Sequence, residues 1–83
     1  MKLLYFAWLR TRIGRAEETL TPPADVVTVG ALLEWLRAQG PGYAEALADL
    51  SVVRVAVNQD FAQSGDPVKP GDEVALFPPV TGG

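Results

Sequence analysis

The chain has 83 residues, 48% of them hydrophobic, and a net charge of −3. It contains neither cysteine nor histidine, which excludes disulfides, thiolate or imidazole metal sites, and the usual general base at neutral pH. Because no run of Lys or Arg is present to replace phosphate counterions, nucleic-acid binding is not expected. We expect one small domain with a single core and no permanently bound metal or cofactor. Any reactive group should then come from a terminus or from a partner.

The first predicted element is a strand over residues 2–10, where aromatic and apolar side chains dominate. On a pleated strand the odd-numbered side chains share one face and point to the core, namely Leu3, Tyr5, Ala7 and Leu9. The opposite, wetter face carries Leu4, Phe6 and Trp8. Three large apolar groups on an exposed face indicate a partner surface, and the alternative is that a loop covers them.

The same segment superficially resembles a signal peptide. Arg10 and Arg12 follow at once, however, and no small-residue cleavage site closes the run. The run is also too short to span a bilayer. A buried strand in a cytoplasmic protein that does not bind membranes is the preferred interpretation.

The remaining elements follow from periodicity and from helix and strand terminators. Residues 17–21 predict a short returning strand that Pro22-Pro23 ends. Thr28 is the predicted N-cap of a helix over residues 29–39. Its apolar stripe consists of Val29, Leu32, Leu33 and Leu36. A second short helix is predicted over 43–50, and strands over 52–57, from Phe61-Ala62 onward, and over 73–77.

This order predicts an α+β fold in which the 29–39 helix crosses one face of a mixed sheet. The predicted core comprises Leu3, Tyr5, Leu32, Leu36, Val55 and Leu76. Two pairs of adjacent carboxylates, Glu17-Glu18 and Asp72-Glu73, are assigned to turns and solubility, because neighbours on a strand point to opposite faces.

The C-terminal segment is the most informative part of the sequence. Residues 1–77 are assigned to the folded domain and residues 78–83 to an extended, flexible tail. Pro78-Pro79 favours a polyproline conformation that holds the tail off the sheet, and six residues reach at most ~20 Å. Gly82-Gly83 can enter a channel that any side chain would block. The tail is therefore suited to presenting its terminal carboxylate to a deep site in another protein; a frayed end is the alternative.

Several motifs together resemble the small, sulfur-carrier subunit of molybdopterin synthase, a ubiquitin-like β-grasp family. They are Leu3 to Leu9 with Arg10, Ala56-Val57-Asn58-Gln59, Gly71-Asp72-Glu73-Val74-Ala75 and the terminal Phe77-Pro78-Pro79-Val80-Thr81-Gly82-Gly83. The resemblance covers nearly the whole chain, and the terminal motif is the most specific.

The resemblance implies a non-catalytic sulfur-donor subunit. An ATP-dependent adenylating enzyme would convert the Gly83 carboxylate to an acyl adenylate, and a persulfide donor would then replace AMP to leave a thiocarboxylate. AMP and sulfur would thus be transient covalent groups. Residues 78–82 (Pro78, Pro79, Val80, Thr81 and Gly82) would insert into the large subunit, which would contact Leu4, Phe6, Trp8 and Phe77. Two small and two large subunits would form a heterotetramer.

Three other functions remain open at this stage. A thiamine-pathway sulfur carrier would share the fold and the diglycine. A protein-conjugating modifier would use Gly83 to acylate a lysine. A ubiquitin-like binding module would use its sheet surface alone and would tolerate an extra residue after Gly83. The sulfur donor and the choice between molybdenum and tungsten are also open.

Overall fold

A computed structural model of the chain describes residues 1–79. Its strands are β1 (Lys2–Tyr5), β2 (Glu17–Thr19), β3 (Arg54–Val57), β4 (Asp60–Ala62) and β5 (Glu73–Phe77). Its helices are α1 (Ala7–Ile13), α2 (Val29–Arg37) and α3 (Pro41–Ala46), and a 3₁₀ turn spans Leu50–Val52. No helix within this part of the chain is long and apolar enough to cross a membrane.

The five described strands form one mixed sheet in the order β2-β1-β5-β3-β4. The central strand β5 runs parallel to its neighbour β1, and every other neighbouring pair is antiparallel. Parallel neighbours need a crossover connection, and here that connection contains α2. A mixed sheet with one helix packed across one face in this arrangement is the ubiquitin-like β-grasp fold. The predicted α+β fold is therefore confirmed.

The predicted core is also confirmed. All six residues of the predicted set are buried, and the whole apolar stripe of α2 faces the sheet. Thr28 caps α2 as expected, since its side-chain oxygen accepts a hydrogen bond from the Ala31 N–H at 3.2 Å. The stripe and the cap together fix where α2 begins and which side it presents.

The predicted strand over residues 2–10 is wrong beyond Tyr5. Ala7 has a φ of 54° and turns the chain out of the sheet into α1. Leu9 is buried, as the alternating pattern predicted, but it is buried as a helical residue that shares a face with the partly buried Ile13 four positions later. Ala7, placed in the core by that pattern, is exposed. Gly14, with a φ of 93°, ends the helix.

The other differences are at element ends. The returning strand stops at Thr19, α2 stops at Arg37, and β3 begins only at Arg54. The predicted second helix over 43–50 is instead α3 followed by a separate 3₁₀ turn. Asp49 begins this turn, because its side chain accepts a hydrogen bond from the Ser51 N–H at 3.0 Å.

Candidate functional site

The base of the C-terminal tail lies at the end of the central strand β5. In β5 the side chains of Val74 and Leu76 are buried, so Phe77 belongs to the opposite, outer face. Pro78 and Pro79 follow the strand and are half-buried. Val80, Thr81, Gly82 and Gly83 lie outside the described residues, so their predicted role as an inserted tail remains a prediction.

The predicted partner surface does not form a single strand face. Leu4 is half-buried on the outer face of β1, in register with Ala75. Phe6 is 49% exposed at the start of α1, and its N–H donates to the Leu76 carbonyl at 3.1 Å, beside the end of β5. Trp8 lies on α1, half-buried under the guanidinium of Arg12, which is 4.9 Å from the ring centroid. The face drawn through all three is therefore wrong, because the chain leaves the sheet after Tyr5.

A different aromatic pair assembles at the tail base. Phe61 on β4 and Phe77 on β5 lie with ring centroids 5.9 Å apart and planes inclined by 54°. Phe61 is 83% exposed, so the pair forms an apolar surface rather than part of the core. Sequence reasoning missed Phe61 as a surface group. The alternation of inward and outward side chains along paired strands could have identified it. Phe61 is the cross-strand partner of Ala56, and Ala56 is the partner of Ala75, whose side chain points outward.

A groove of about 630 Å³ adjoins this pair, between α2 and the edge strand β4. Its walls are mainly apolar, with Val29, Leu33, Leu50, Val53, Phe61 and Phe77 among its lining residues. Arg54 is the charged side chain that lines it. Gly30 on α2 lies close to the loop after β4: its N–H donates to the Ser64 carbonyl at 2.8 Å, and a Cβ there would lie 3.2 Å from the same oxygen. A groove with apolar walls and one positively charged side chain is better suited to binding an apolar protein segment than a small polar substrate.

A carboxylate that the sequence assigned to solubility is in fact the centre of a hydrogen-bond cluster. Glu18 accepts hydrogen bonds from the hydroxyls of Tyr5 at 2.7 Å and Tyr43 at 2.6 Å, and from Arg15 at 2.9 Å. Its side chain is only 8% exposed. Burial, reinforced by the hydrogen bond to Glu18, raises the pKa of Tyr5 and also that of Tyr43. The cluster links β1, β2 and α3 and holds the end of β1 that abuts the tail base.

A second buried carboxylate holds the start of β5. Asp72 is 4% exposed and accepts hydrogen bonds from Asn58 Nδ2 at 3.0 Å and from the backbone N–H and Nζ of Lys69. The Asn58 side chain also accepts from the Glu73 N–H at 3.0 Å. The hydrogen bond from Asn58 is the main cause that lowers the pKa of Asp72; burial opposes it and Lys69 assists it. Asp72 and Asn58 therefore join two sequence motifs as a structural cross-link.

Comparison with known proteins agrees with this geometry. The model of the ThiS family matches residues 3–83. The molybdopterin synthase sulfur carrier subunit of Escherichia coli is 42% identical over 83 residues, covering 100% of this chain and 99% of that protein. The human molybdopterin synthase sulfur carrier subunit is 30% identical, covering 100% and 93%. The crystal structure of small archaeal modifier protein 1 of Haloferax volcanii superposes with a TM-score of 0.75 at 30% identity, covering 96% and 97%.

Proposed function

This chain belongs to the ThiS family, and from that premise we propose that it carries sulfur on its C-terminal Gly83 for the synthesis of molybdopterin. The observation that carries the proposal is the terminal Pro78-Pro79-Val80-Thr81-Gly82-Gly83 sequence placed directly after the central strand of a ubiquitin-like sheet. The names of the full-length relatives from Escherichia coli and human support it. A body without cysteine or histidine suits a carrier whose sulfur arrives from outside.

The folded domain fixes the position from which the tail starts. Strand β5 pairs on both sides, with β1 and with β3, so the point at which the tail leaves is fixed in the middle of the sheet. The two prolines limit the backbone freedom of the first tail residues. A terminal carboxylate at the end of six residues then reaches at most ~20 Å from that point, which is enough to enter a buried active site in a partner.

The loading chemistry uses the carboxylate in two steps. One carboxylate oxygen of Gly83 attacks the α-phosphorus of ATP in an adenylating enzyme, which releases pyrophosphate and forms an acyl adenylate. The terminal sulfur of a protein persulfide then attacks the acyl carbon, and AMP leaves. A thiol reduces the resulting acyl disulfide to a thiocarboxylate and is itself oxidised into a disulfide with the donor. The protein's own side chains supply no acid or base in this scheme.

Delivery takes place in the large subunit of the synthase. The ionised thiocarboxylate sulfur attacks an electrophilic carbon of the pterin precursor and forms a C–S bond, while an oxygen substituent on that carbon leaves with the electron pair of the broken C–O bond. Water then cleaves the thioester. This hydrolysis leaves sulfur on the pterin and restores the Gly83 carboxylate. Because one carrier delivers one sulfur, a dithiolene requires two deliveries, which fits an assembly of two small and two large subunits.

The pair formed by the exposed Phe61 and the half-buried Phe77 is the proposed contact with the large subunit. Together with the half-exposed Phe6, it places apolar surface beside the exit of the tail. Aromatic side chains in such a position are typical of interface anchors. Leu4 and Trp8 are half-buried. Leu4 contributes to the rim of this interface, and Trp8 contributes to it from α1.

Reconstitution of molybdopterin formation tests the proposal. Deleting Gly83 should leave the domain folded but abolish product formation with the large subunit, adenylating enzyme and a sulfur source. Gly82→Val should act in the same way, because a β-branched side chain restricts the backbone and blocks a narrow channel. Thr81→Ser is the matched control and should keep activity. Product formation by the Gly83 deletion would contradict the proposal and would favour a sheet-surface binding module.

A protein-modifier role is the second candidate, and the likeness to the archaeal modifier protein favours it. The same acyl adenylate would then be attacked by a lysine amine, with formation of an amide bond and loss of AMP. Covalent adducts that survive thiol treatment, formed on proteins of the host in an ATP-dependent way, would establish this role. A thiamine-pathway carrier would instead support thiazole formation and not molybdopterin formation.

A further inference from the structure

The positive side chains of the protein are unevenly neutralised. Within residues 1–79, ion pairs join Lys2 to Glu17, Arg12 to Glu45, Arg15 to Glu18, Arg37 to Glu34 and Lys69 to Asp72. In this part of the chain Arg10 and Arg54 have no such carboxylate partner, and both are exposed. The Arg54 guanidinium donates one hydrogen bond to the uncharged Ser51 carbonyl at 3.2 Å, which leaves its charge unneutralised. An unneutralised guanidinium keeps more of its field in solvent than a paired one.

Both of these arginines belong to segments that adjoin the end of β5. Arg54 is the direct cross-strand partner of Phe77 and lines the groove beside it. Arg10 lies on α1, which begins where the Phe6 N–H bonds the Leu76 carbonyl. Because β1 and β3 lie on either side of β5, the two arginines belong to segments on opposite sides of the strand that the tail follows.

The other end of β5 instead carries carboxylates that have no ion-pair partner among residues 1–79, whereas its lysines, Lys2 and Lys69, are paired. Glu73 begins that strand, and Asp60 begins β4 beside the β3–β4 turn. Among the described residues neither carboxylate is ion-paired. Four residue steps along a strand separate this end from Phe77 by about 13 Å. Asp49 is an acid close in sequence to Arg54, but its carboxylate is occupied by hydrogen bonds from Ser51.

We propose that Arg10 and Arg54 bind carboxylates at the entrance of the channel in the large subunit that receives the tail. This inference rests on the proposed function, since it requires the tail to enter such a partner. The guanidinium fork matches a carboxylate in two parallel hydrogen bonds. Contacts made from both sides of the end of β5 would orient the folded domain relative to the channel, although the protein as a whole has a net charge of −3. The apolar pair of Phe61 and Phe77 contributes to the binding free energy, whereas the arginines orient the two proteins and raise the association rate constant.

Stopped-flow association with the large subunit tests this role. Arg54→Glu and Arg10→Glu should each lower the association rate constant about tenfold at low salt, with a smaller loss at physiological salt because the field is screened. Arg37→Glu is the matched control: it makes the same charge change on α2, where Glu34 already neutralises the arginine. Arg54→Gln, a milder change, should lie between the wild type and Arg54→Glu.

The outcomes separate this inference from the proposed function. Equal rates for the Arg54, Arg10 and Arg37 variants would overturn the arginine role, and so would a loss confined to association with the adenylating enzyme. Once saturated with large subunit, a variant loaded with thiocarboxylate should still transfer its sulfur at the wild-type rate. If wild-type protein transfers no sulfur under those conditions, the proposed function itself fails, whatever the association rates show.

Discussion

The two ends of strand β5 differ in how completely their side chains are satisfied within the protein. At its start, Asp72 accepts three hydrogen bonds, from Asn58 and Lys69, and is almost fully buried. At its end, Phe77 contacts an aromatic ring that is 83% exposed, and Arg54 has no carboxylate partner among residues 1–79. The start of β5 therefore stabilises the fold, whereas the end of β5 has side chains available to bind a partner.

Because of this difference, residues that stabilise the fold and residues that bind a partner should lie at opposite ends of β5. Substitutions in the core and at the start of β5 should change the free energy of unfolding and leave partner affinity unchanged. Substitutions at the end of β5 should do the reverse.

The largest loss is expected for Leu36→Ala. Leu36 is fully buried on α2, and truncating it removes apolar contacts and leaves a cavity, so the free energy of unfolding should fall by about 2–5 kcal/mol. Urea denaturation measures this loss. Val27→Ala, at a side chain that is 55% exposed, is the control and should change stability by less than about 0.5 kcal/mol. A similarly small effect at Leu36 would mean that the α2 stripe does not form the core.

Asp72→Asn should come next, with a loss of about 1–3 kcal/mol, because an amide cannot accept all the hydrogen bonds that the carboxylate accepts. The pKa of Asp72 is lowered in the folded state. Its contribution is therefore fully present above the unfolded pKa of about 3.9 and is lost as the pH falls through the lower, folded value. The variant should show a weaker loss of stability below about pH 4 than the wild type.

Asp60→Asn makes the same chemical change at an exposed carboxylate. It is the matched control for stability and should change the free energy of unfolding by less than about 0.5 kcal/mol. Affinity for the large subunit should be unchanged in both variants. A loss of affinity in Asp72→Asn alone, with the fold intact, would show that the two ends of β5 are coupled.

Tyr43→Phe should have a smaller effect, about 0.5–1.5 kcal/mol, since it removes one hydrogen bond to Glu18. The pKa values of Tyr5 and Tyr43 are raised above the ordinary value of about 10. The stability from both groups is present below that pH and is lost as the pH rises toward their folded values. Alkaline denaturation followed by circular dichroism should therefore be less steep for Tyr43→Phe, and an unchanged slope would contradict the assigned cluster.

Phe61→Asp should have the smallest effect on stability and a large effect on binding. An exposed ring loses little burial when it is replaced, but a charge in an apolar interface should weaken binding to the large subunit at least about tenfold. Calorimetric titration measures the affinity. Thr19→Asp, on exposed surface of the edge strand β2, is the control. Equal affinities would remove Phe61 from the interface.

Local patterns were sufficient to predict much of the fold. The stripe of α2 and its Thr28 cap, the core set and the bounds of β5 all follow from the spacing of neighbouring residues. Residues 7–10 were mispredicted because Leu9 satisfies both a strand alternation and a helical repeat, and the positive φ of Ala7 has no sequence signal.

The polar clusters could not be predicted in this way. Tyr43 is 25 positions from Glu18, and Asn58 is 14 positions from Asp72. Such pairs meet only after the sheet has formed, so composition and periodicity do not reveal them. For the same reason the sequence assigns Glu18 and Asp72 only to turns and solubility, whereas the tail motif is recognisable because its residues are contiguous.

The most direct test of the central claim is the mass of the C-terminal peptide after loading. The protein is incubated with its adenylating enzyme, ATP, a persulfide donor and a reducing thiol, and the peptide that ends in Gly83 is analysed by mass spectrometry. The account predicts the mass gain of one oxygen-to-sulfur exchange, confined to that peptide and absent without ATP. An unchanged carboxylate, although the enzyme has bound the protein and ATP, would contradict the account.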